Sequence, residues 1–485
     1  MFRILVQRVM PTKTLGTPLH TQTQTYEGIT MRKFQNDKFT PDTSLGLGRI
    51  FITIILSKLL TFVTHIQANV TTPDPTFNEG VGPSPSLPEP KTSLLPTVNI
   101  AKAIGWPKDK TPQVANGLQV IAFARNLEHP RWLYVLPNGD LLVAETNAPP
   151  KPGDGRGLKG AAMKTIMKRA GSITPSANRI TLLRDANGDG IAEFQSVFLE
   201  GLNSPFGIEL IGNDFYVANS DAILRFQYIS GDTRIKSSAV QLASLPAGDI
   251  NHHWTKNIIA SRDGKALYAT VGSNSNAGER GMDVEKNRAA ILKIELATGA
   301  SRIFACGLRN PNGMAWEPTT GTLWTVVNER DELGDNLVPD YLTSVKDGAF
   351  YGWPYSYFGA HLDTRVKPQR TDLVAKAIVP DYALGSHTAS LGLAASDGKT
   401  LTPNFSSGMF ISLHGSWNRN PPSGYKVIFV PFENGQPQGM PIDVLTGFLS
   451  ERGEAYGRPV GVVIDRKGGL FVADDVGNTI WYIKH

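Results

Sequence analysis

Residues that can bind anions or move protons recur in this chain just before apolar stretches that alternate with turns. They are Arg131, His253, Arg309 with Asn310, His387 and Arg458. Guanidinium groups bind carboxylates through paired hydrogen bonds, so several of them around one pocket suit a planar polyanion. A histidine that titrates near neutral pH can take a proton from an alcohol, and a nearby arginine can stabilise charge that develops on oxygen. Any one of these residues could be an ordinary loop residue, but the whole set predicts a binding or catalytic site.

Several common catalytic signatures are absent from the sequence. No G-x-G-x-x-G follows a strand, no C-x-x-C-H is present and no G-x-S-x-G occurs, so a nicotinamide Rossmann site, c-type haem attachment and a serine nucleophile elbow are not supported. The single cysteine, Cys306, excludes an internal disulfide, and we interpret it as a small buried apolar residue. The net charge of +5 is small for 485 residues. The basic stretch 158–169 lacks interleaved aromatics, so no nucleic-acid site is predicted.

Two acidic stretches are candidates for a cation site. Residues 185–193 begin like a calcium loop, but Ser196 stands where a bidentate glutamate is wanted, so an acidic turn is the preferred interpretation. The stretch 326–342 follows the repeat that carries Arg309. Its carboxylates at Asp331, Glu332 and Asp335, together with loop carbonyls, predict an oxygen-rich Ca²⁺ site, with a loop that caps itself as the alternative.

Six segments share one pattern of polar lead-in, apolar strand, turn and second apolar strand. They are 129–147, 203–226, 252–274, 309–329, 387–417 and 458–483. Their turns, such as "PNGD" and "RDGK", suit hairpins because Gly and Asn adopt positive φ easily. Such hairpins bury both faces only when copies pack side by side in a ring. The sequence predicts an all-β fold, a six-bladed β-propeller whose lead-ins converge on one channel mouth.

The intervals between repeats are uneven, so we expect loop insertions on the face that carries the site, the longest at 148–178 and 330–386. The region before the repeats divides in two. Residues 1–69 contain an apolar run after basic residues, which predicts a signal-like segment and an exported, periplasmic or secreted protein, with membrane tethering by an uncleaved anchor as the alternative. Residues 70–116 are rich in Pro, Thr and Ser and are interpreted as a linker and lead-in to the propeller of 117–485.

Five motifs in chain order carry a resemblance to a known family: "NHHW" (251–254), "GLRNPNGMAW" (307–316), "NERDELGDNLVPDY" (328–341), "YGWPYSYFG" (351–359) and "HGSWNR" (414–419). Over 117–485 the chain resembles the quinoprotein sugar dehydrogenases, the group of soluble glucose dehydrogenase and sorbosone dehydrogenase, and is most similar to the sorbosone branch. The resemblance implies a six-bladed propeller that binds pyrroloquinoline quinone (PQQ) with Ca²⁺. It also implies oxidation of a sugar or sugar-derived aldehyde and an external electron acceptor.

The resemblance further implies roles for individual residues. His253 matches the catalytic base, with His252 as an alternative, and Arg309 with Asn310 matches the pair at the reactive quinone carbonyls, where Arg309 stabilises an oxyanion. The metal would be held at the loop carbonyls of Arg330 and Asp331, with Asp335 nearby. The residues expected to hold the carboxylates and ring of PQQ are Arg458, Arg131, His387, His414 and Trp417.

Two departures from the glucose branch put a glucose preference in doubt. His414 stands where that branch has a lysine, and Tyr456 stands where it has a second arginine. Two other functions stay open at this point. A calcium-dependent propeller hydrolase such as a lactonase needs carboxylates converging on a deep ion, and a binding propeller without activity leaves the Arg and His set unexplained.

Overall fold

The computed structural model describes residues 79–93, 97–150, 169–171 and 174–485. These residues belong to the compact unit that spans 68–485. The signal-like segment of 1–69, the basic run before Arg169 and most of the predicted insertion 148–178 lie outside the described residues.

The first three sheets each contain four antiparallel strands that follow one another along the chain. The first consists of β4 (Pro130–Val135), β5 (Leu141–Glu145), β6 (Arg179–Arg184) and β7 (Phe194–Leu199). The second consists of β8 (Ile208–Ile211), β9 (Asp214–Ala218), β10 (Ala222–Gln227) and β11 (Val240–Ser244). The third consists of β12 (Ile258–Ala260), β13 (Ala266–Val271), β14 (Ala290–Glu295) and β15 (Ser301–Cys306).

The other three sheets recruit strands from the N-terminal part of the described chain. The fourth consists of β16 (Pro311–Trp316), β17 (Leu323–Val327), β18 (Pro339–Ser344) and β21 (Tyr382–Ser386), with β1 (Val81–Gly82) outside. The fifth consists of β22 (Ser390–Ala395), β23 (Gly408–Leu413), β24 (Lys426–Glu433) and β26 (Ile442–Thr446), with β2 (Gln113–Val114) outside and β25 (Gln436–Pro437) on β24. The sixth consists of β27 (Pro459–Ile464), β28 (Leu470–Asp474), β29 (Thr479–Lys484) and β3 (Gln119–Ala124).

The six sheets form a closed ring, and this confirms the predicted six-bladed β-propeller. The innermost strands contact one another in the cyclic order β4, β8, β12, β16, β22, β27 and back to β4. The ring closes within the sixth blade, where β29 pairs antiparallel with β3, for example Tyr482 with Ile121. Each of the six predicted repeats contains the two inner strands of one blade, and the repeats at 203–226 and 458–483 also reach the third strand. Since each inner strand runs in the same direction, the six lead-ins gather at one mouth.

Glycine permits the inner strands to approach one another closely. A Cβ on Gly313 in β16 would overlap the backbone of Leu393 in β22, and one on Gly461 in β27 would overlap the backbone of Arg131 in β4. No larger residue fits at these two positions without displacing backbone. The core fills the wedges between blades, where middle strands such as β5 and β13 are buried along their whole length.

The segment before the propeller is an ordered strap rather than the linker that its composition predicts. β1 pairs with β21 of the fourth blade and β2 with β26 of the fifth blade. Between them, Lys91 N donates to Leu333 O at 2.9 Å and Asn99 N donates to Trp417 O at 2.8 Å. We call residues 79–93 and 97–116 the strap. Composition does not reveal the strap, because the strap contributes hydrogen bonds and a few anchoring side chains to a core that other strands build.

Helical structure is sparse among the described residues. One short α-helix, α1, covers Thr371–Val374, and two 3-10 turns cover Asp283–Glu285 and Pro403–Phe405. Within the part of the chain that the structure describes, no helix is long and apolar enough to span a membrane. The segment between β18 and β21 also contains the hairpin of β19 (Ser356–Tyr357) and β20 (His361–Leu362). It reaches the channel mouth, where Trp353 Nε1 donates to Asn276 O at 2.9 Å.

Candidate active site

His253 lies in the loop that leads into β12, and its ring is held by Ser273. Its Nδ1 is 2.7 Å from the carbonyl oxygen of Ser273 and 3.1 Å from Ser273 Oγ. The Ser273 hydroxyl itself donates to the carbonyl of Ser275 at 2.7 Å, so both Ser273 oxygens accept from Nδ1. Because a carbonyl can only accept, the donor pattern assigns the proton to Nδ1 and the lone pair to Nε2. A general base requires this tautomer.

Gly272 brings His253 and Asn310 together. A Cβ on this glycine would overlap both Asn310 Oδ1 and the Cβ of His253. The Asn310 side chain is buried, and its Oδ1 has no hydrogen-bond partner among the described residues. A buried amide oxygen without a partner is costly, so it points to a donor supplied from outside the chain. The structure thus joins two of the predicted residues, one from the third blade and one from the fourth.

Arg309 has partners that differ from the predicted ones. Its Nε and Nη2 donate to the carbonyl oxygen and Oδ1 of Asn276 at 3.1 and 3.0 Å. Its Nη1 donates to the carbonyls of Asn328 and Glu329 at 3.3 and 2.7 Å, and Nη2 also reaches Asp331 Oδ2 at 3.3 Å. All five N–H groups of the guanidinium are therefore engaged, and the residue is only 4% exposed. Arg309 joins two loops and has no donor left for a quinone carbonyl or an oxyanion.

The three predicted metal residues do not converge on one point. The Asp331 carbonyl accepts from Arg330 Nε and Nη2 and from Asn276 Nδ2. The Arg330 side chain itself is buried and ion-paired with Asp363. The carboxylate of Asp335 accepts from Thr97 Oγ1 at 2.6 Å and from Asn420 N at 3.2 Å. The Asp331 carbonyl and the Asp335 carboxylate are therefore occupied by donors of this chain, and these two groups do not fit the predicted calcium site.

The Asp331 carboxylate instead joins the fourth and fifth blades. It accepts from Asn418 Nδ2 at 2.8 Å and lies 3.4 Å from His387 Nδ1. Burial alone would raise the pKa of Asp331, but His387 and Arg309 lower it more, to about 2. Burial alone would lower the pKa of His387, and Asp331 outweighs this, so the pKa of His387 is raised. His387 Nε2 contacts the carbonyl of Gly334 at 2.9 Å.

His387 and Trp417 border a small cavity of about 70 Å³ between these loops and the strap. Trp417 is 39% exposed. Trp254, which the sequence offers as a second flat wall, is buried and lies edge-to-face against Phe206. Trp417 therefore remains the predicted wall for a planar ring or a sugar.

A buried carboxylate that sequence reasoning missed organises the other side of the mouth. Asp475 Oδ2 is 2.6 Å from Arg131 Nη1, 2.9 Å from His414 Nε2 and 3.5 Å from His129 Nε2. Burial alone would raise the pKa of Asp475, but His414, His129 and Arg131 together hold it well below its usual range. Burial lowers the pKa of His414 to about 4, so this imidazole is neutral at pH 7. The only sequence signal for Asp475 is the doublet Asp474-Asp475 at the end of β28.

Arg131 and Arg458 each keep a part of the guanidinium unengaged. Arg131 donates to Asp475 through Nη1, while its Nη2 has no partner among the described residues. Arg458 donates through Nε and Nη2 to the carbonyls of His414 and Gly415 and to the Tyr425 hydroxyl, and its Nη1 has no described partner. Arg131 also lies 6.0 Å from the ring centroid of Trp254, next to His253. Arg131 thus lies on the side of the mouth that adjoins His253, and Arg458 lies beside the His414 loop.

Two further basic residues lie beneath the His253 loop, and sequence reasoning missed them as well. Lys256 is fully buried, and its Nζ is 3.2 Å from the carbonyls of both His253 and Trp254. Arg288 donates to the carbonyl of Gly272 at 3.1 Å and to Asn251 Oδ1 at 3.0 Å. Both residues bind backbone carbonyls or side chains of the segments that position His253. Neither their residue types nor their spacing in the sequence indicates this role.

The acidic turn at 185–193 is held by its own backbone. Asp185 accepts from the amides of Gly188 and Gly190, and Glu193 accepts from the amide of Ala186. Asp185, Asp189 and Glu193 form the one cluster of potential metal ligands found among the described residues, and it is largely exposed. This geometry agrees with the preferred interpretation of an acidic turn.

Two family models match the chain. The glucose/sorbosone dehydrogenase model matches residues 216–414, and the TrAA12-like model matches residues 359–485. An uncharacterised protein of Borreliella burgdorferi is 28% identical over 294 residues, which is 59% of this chain and 76% of that protein. A pyrroloquinoline quinone-dependent pyranose dehydrogenase of Coprinopsis cinerea is 24% identical over 436 residues, covering 76% of this chain and 54% of the relative. The chain spans about half the length of this relative.

Solved structures share the fold. The holo form of the PQQ domain of Coprinopsis cinerea pyranose dehydrogenase has a TM-score of 0.61 at 22% identity and covers 80% of this chain and 100% of that chain. The calcium structure of a Trichoderma reesei enzyme of carbohydrate-active family AA12 has a TM-score of 0.62 at 17% identity and covers 80% of this chain and 98% of that chain. These matches show that the chain is similar to the glucose/sorbosone dehydrogenase family over residues 216–414 and that it shares the propeller fold of the solved structures.

Proposed function

We propose that this chain is a quinoprotein that oxidises a sugar or a sugar-derived aldehyde with PQQ as its cofactor. The observation that carries the proposal is the fixed tautomer of His253, whose Nδ1 donates to the Ser273 carbonyl at 2.7 Å and whose Nε2 holds the lone pair. A base in this state at the mouth of a propeller suits removal of a hydroxyl proton. The pyranose dehydrogenase among its relatives is PQQ-dependent, which supports the same cofactor here.

The residues at the mouth fit a planar tricarboxylate. Arg458 Nη1 and Arg131 Nη2 lack described partners, and buried guanidinium groups bind carboxylates strongly. His414, neutral and donating to Asp475, offers no positive charge, so we assign the carboxylates to the two arginines. Asn310 Oδ1 is the orphaned acceptor beside His253. Bound PQQ would supply a quinone that accepts the two electrons and the hydrogen of the substrate C–H bond.

The residues of the chain then perform three tasks. His253 Nε2 takes the proton from a hemiacetal, hydrated aldehyde or alcohol as the C–H bond breaks. The Ser273 carbonyl stabilises the resulting imidazolium through its bond to Nδ1, just as it fixed the neutral tautomer. Trp417 offers a flat apolar surface for the sugar ring. The exposed His252 stands beside His253, with ring centroids 4.8 Å apart, and leads the proton to solvent.

Arg309 is a positioning residue in this proposal. Its five donors hold the loop after β17 against the loop at Asn276, so it shapes the mouth without touching the reacting atoms. Calcium is named for the Trichoderma reesei structure. In this chain the Asp331 carbonyl and the Asp335 carboxylate do not fit such an ion, so no step of the proposal depends on it.

Export to the periplasm or beyond, and transfer of electrons to an external acceptor, complete the proposal. The segment that suggests export, within residues 1–69, lies outside the described residues. Sorbosone itself and any single aldose remain unassigned, because the residues that would select a substrate lie in loops without a distinguishing motif.

Reconstitution of the apo-protein tests the proposal. We expect PQQ to bind, with a change in quinone absorbance, and an aldose or aldehyde from a panel to reduce an artificial dye only after PQQ is added. Absence of any spectral change would refute the proposal. Hydrolysis of a lactone without PQQ would favour the calcium-dependent hydrolase, and PQQ binding without dye reduction by any sugar would favour a propeller that only binds.

A further inference from the structure

We propose that Arg309 takes the place of a bound divalent cation in this chain, so that the loop after β17 needs no Ca²⁺ to be held in shape. This inference rests on the proposed function only for the location of the cofactor. It concerns the oxygens that surround the Arg309 guanidinium, which we call the oxygen cage. The cage contributes the carbonyls of Asn276, Asn328 and Glu329, the side-chain Oδ1 of Asn276 and the Asp331 carboxylate.

The cage has the composition of a calcium site but holds a guanidinium. Ca²⁺ prefers carbonyl, amide and carboxylate oxygens from flexible loops, the three ligand types present here. Five oxygens from two loops lie between 2.7 and 3.3 Å from the guanidinium nitrogens. Each oxygen meets one N–H, so the five donors and five acceptors match in number. An arginine stays charged at any physiological pH, and it therefore supplies a permanent positive charge at this point.

The charges around the cage leave little attraction for a second cation. Asp331 is the carboxylate of the cage, and it is already shared by Arg309 and His387 at 3.3 and 3.4 Å. The Asn418 amide adds a third donor at 2.8 Å. The Glu329 carboxylate is buried near Arg309, and its Oε1 has no partner among the described residues, but burial raises the pKa of Glu329 to about 7, so it carries only part of a negative charge at neutral pH. A divalent ion here would face the Arg309 guanidinium at close range, and the one carboxylate of the cage is already shared.

The Asp331 carbonyl, one of the metal ligands predicted from the sequence, is also occupied. The Asp331 carbonyl accepts three donors, two from Arg330 and one from Asn276 Nδ2 at 3.2 Å. Arg330 is in turn fixed by the buried Asp363, so its guanidinium cannot leave easily. A metal ion would have to displace two internal arginines to reach its ligands. Arg309 and Arg330 therefore bind the loop oxygens from two sides, as a metal ion otherwise would.

Calcium titration of the full chain tests the inference without using activity. The protein is stripped with a chelator, and Ca²⁺ binding is measured by calorimetry and by the thermal midpoint with and without millimolar CaCl₂. All variants carry Asp189→Asn, which removes a ligand from the exposed cluster at 185–193 and leaves the cage intact. Arg309→Met empties the cage but keeps its oxygens. Arg302→Met is the matched control, because Arg302 pairs with Asp347 on the exposed surface.

We expect the Asp189→Asn parent and the Arg302→Met control to bind no Ca²⁺ and to keep the same midpoint in chelator and in CaCl₂. We expect Arg309→Met to have a lower midpoint in chelator and to gain a Ca²⁺ site that raises the midpoint by about 2 °C or more. A tight Ca²⁺ site in the parent would overturn the inference even if Arg309→Met failed to fold. A folded Arg309→Met that gained no Ca²⁺ binding would overturn it too.

The affinity for PQQ provides a second, independent test of the inference. If PQQ binds, we expect its affinity for the parent, followed by absorbance, to agree within about twofold in chelator and in CaCl₂. An affinity at least about tenfold higher with Ca²⁺ would contradict the inference. If PQQ does not bind under any condition, the proposed function fails, while the calcium titration still decides the role of Arg309.

Discussion

At the scale of single residues, a backbone carbonyl rather than a carboxylate fixes the tautomer of the proposed base. We expect His253→Gln to lower kcat by about 10²- to 10⁴-fold while PQQ still binds, because glutamine keeps a polar side chain but cannot accept the hydroxyl proton. Dye reduction measures the loss, and quinone absorbance measures cofactor binding. Equal activity of the variant and the wild type would exclude His253 as the base.

The neighbouring histidine is the matched control for this prediction. His252 is exposed and has the same residue type, and its backbone amide donates to Asn274 Oδ1 at 3.1 Å. We expect His252→Gln to change kcat by less than about fivefold, since proton release to solvent can proceed through water. A loss in this variant as large as that of His253→Gln would reverse the assignment of the two histidines.

The buried imidazole of His414 makes the stability of the protein sensitive to acid. The pKa of His414 in the folded protein is about 4, and burial is the main cause. An unfolded histidine titrates near 6.5, so between about pH 6.5 and 4 the unfolded chain binds a proton that the folded chain does not. Stability is therefore fully present above the unfolded pKa and is lost as the pH falls through this range, by on the order of 2 kcal/mol.

We expect His414→Gln to flatten the fall in the free energy of unfolding between pH 6.5 and 4. Glutamine can still donate to Asp475 but takes up no proton, so the difference between folded and unfolded chains disappears at this position. Urea unfolding at a series of pH values measures it. An unchanged slope would show that His414 does not titrate differently in the two states.

Sequence alone predicts residues that stand in a repeating position but not those that act through burial. His253, Asn310 and Arg458 stand at lead-ins, and the structure brings them to one mouth. Asp475 lies at the end of a second strand, where nothing in its spacing marks it, and its importance depends on an arginine and two imidazoles from other blades. Arg309 was found by the same repeat, yet its partners depend on two loops whose paths no local pattern specifies.

At the scale of elements, the strap shows where composition misleads. Residues 79–93 are rich in Pro and Ser. The following residues nevertheless supply an anchor, because Trp106 lies among Phe448, Tyr456 and Trp481, with ring centroids 5.2 to 5.5 Å away. Its Nε1 donates to Asp474 Oδ2 at 2.6 Å. The other oxygen of Asp474 accepts from the amide of Arg458 at 2.8 Å. One tryptophan thus ties the strap to the lead-in of the sixth blade.

We expect Trp106→Ala to destabilise the protein by about 2–4 kcal/mol through the lost ring contacts, and Trp106→Phe by about 1–2 kcal/mol through the lost hydrogen bond to buried Asp474. Urea unfolding measures both. Because Asp474 holds the backbone of Arg458, we also expect weaker PQQ binding in both variants. Stability within error of the wild type in Trp106→Ala would mean that the strap is not anchored at this point.

A shortened chain tests the strap as a whole. We expect a chain that begins at residue 79 to be more stable than one that begins at residue 117, because the shorter chain loses the pairing of β1 and β2 and the Trp106 anchor. The two chains share the six predicted repeats, so equal thermal midpoints would support the interpretation of 70–116 as a linker.

At the scale of the whole molecule, the ring makes stability a shared property of all six blades. Five blades take their four core strands from consecutive chain segments, whereas the sixth joins β3 to the last three strands. The six repeats predict the number of blades. They do not predict how the ring closes, because β3 lies before the first repeat and has no hairpin partner next to it in the sequence. The two ends of the propeller are thus joined by the pairing of β3 with β29.

We expect Phe123→Ala in β3 to lower the single unfolding midpoint of the entire propeller. Phe123 is 3% exposed and lies edge-to-face on Phe471 with centroids 4.7 Å apart, so its loss costs about 3–5 kcal/mol. Because opening the ring exposes the edges of the first and last blades, tryptophan fluorescence and far-ultraviolet circular dichroism should shift together. The matched control is Phe194→Ala on β7, where a 39% exposed ring predicts a loss below about 1 kcal/mol. A separate early transition in Phe123→Ala, leaving most of the signal at the wild-type midpoint, would show that the blades unfold independently of closure.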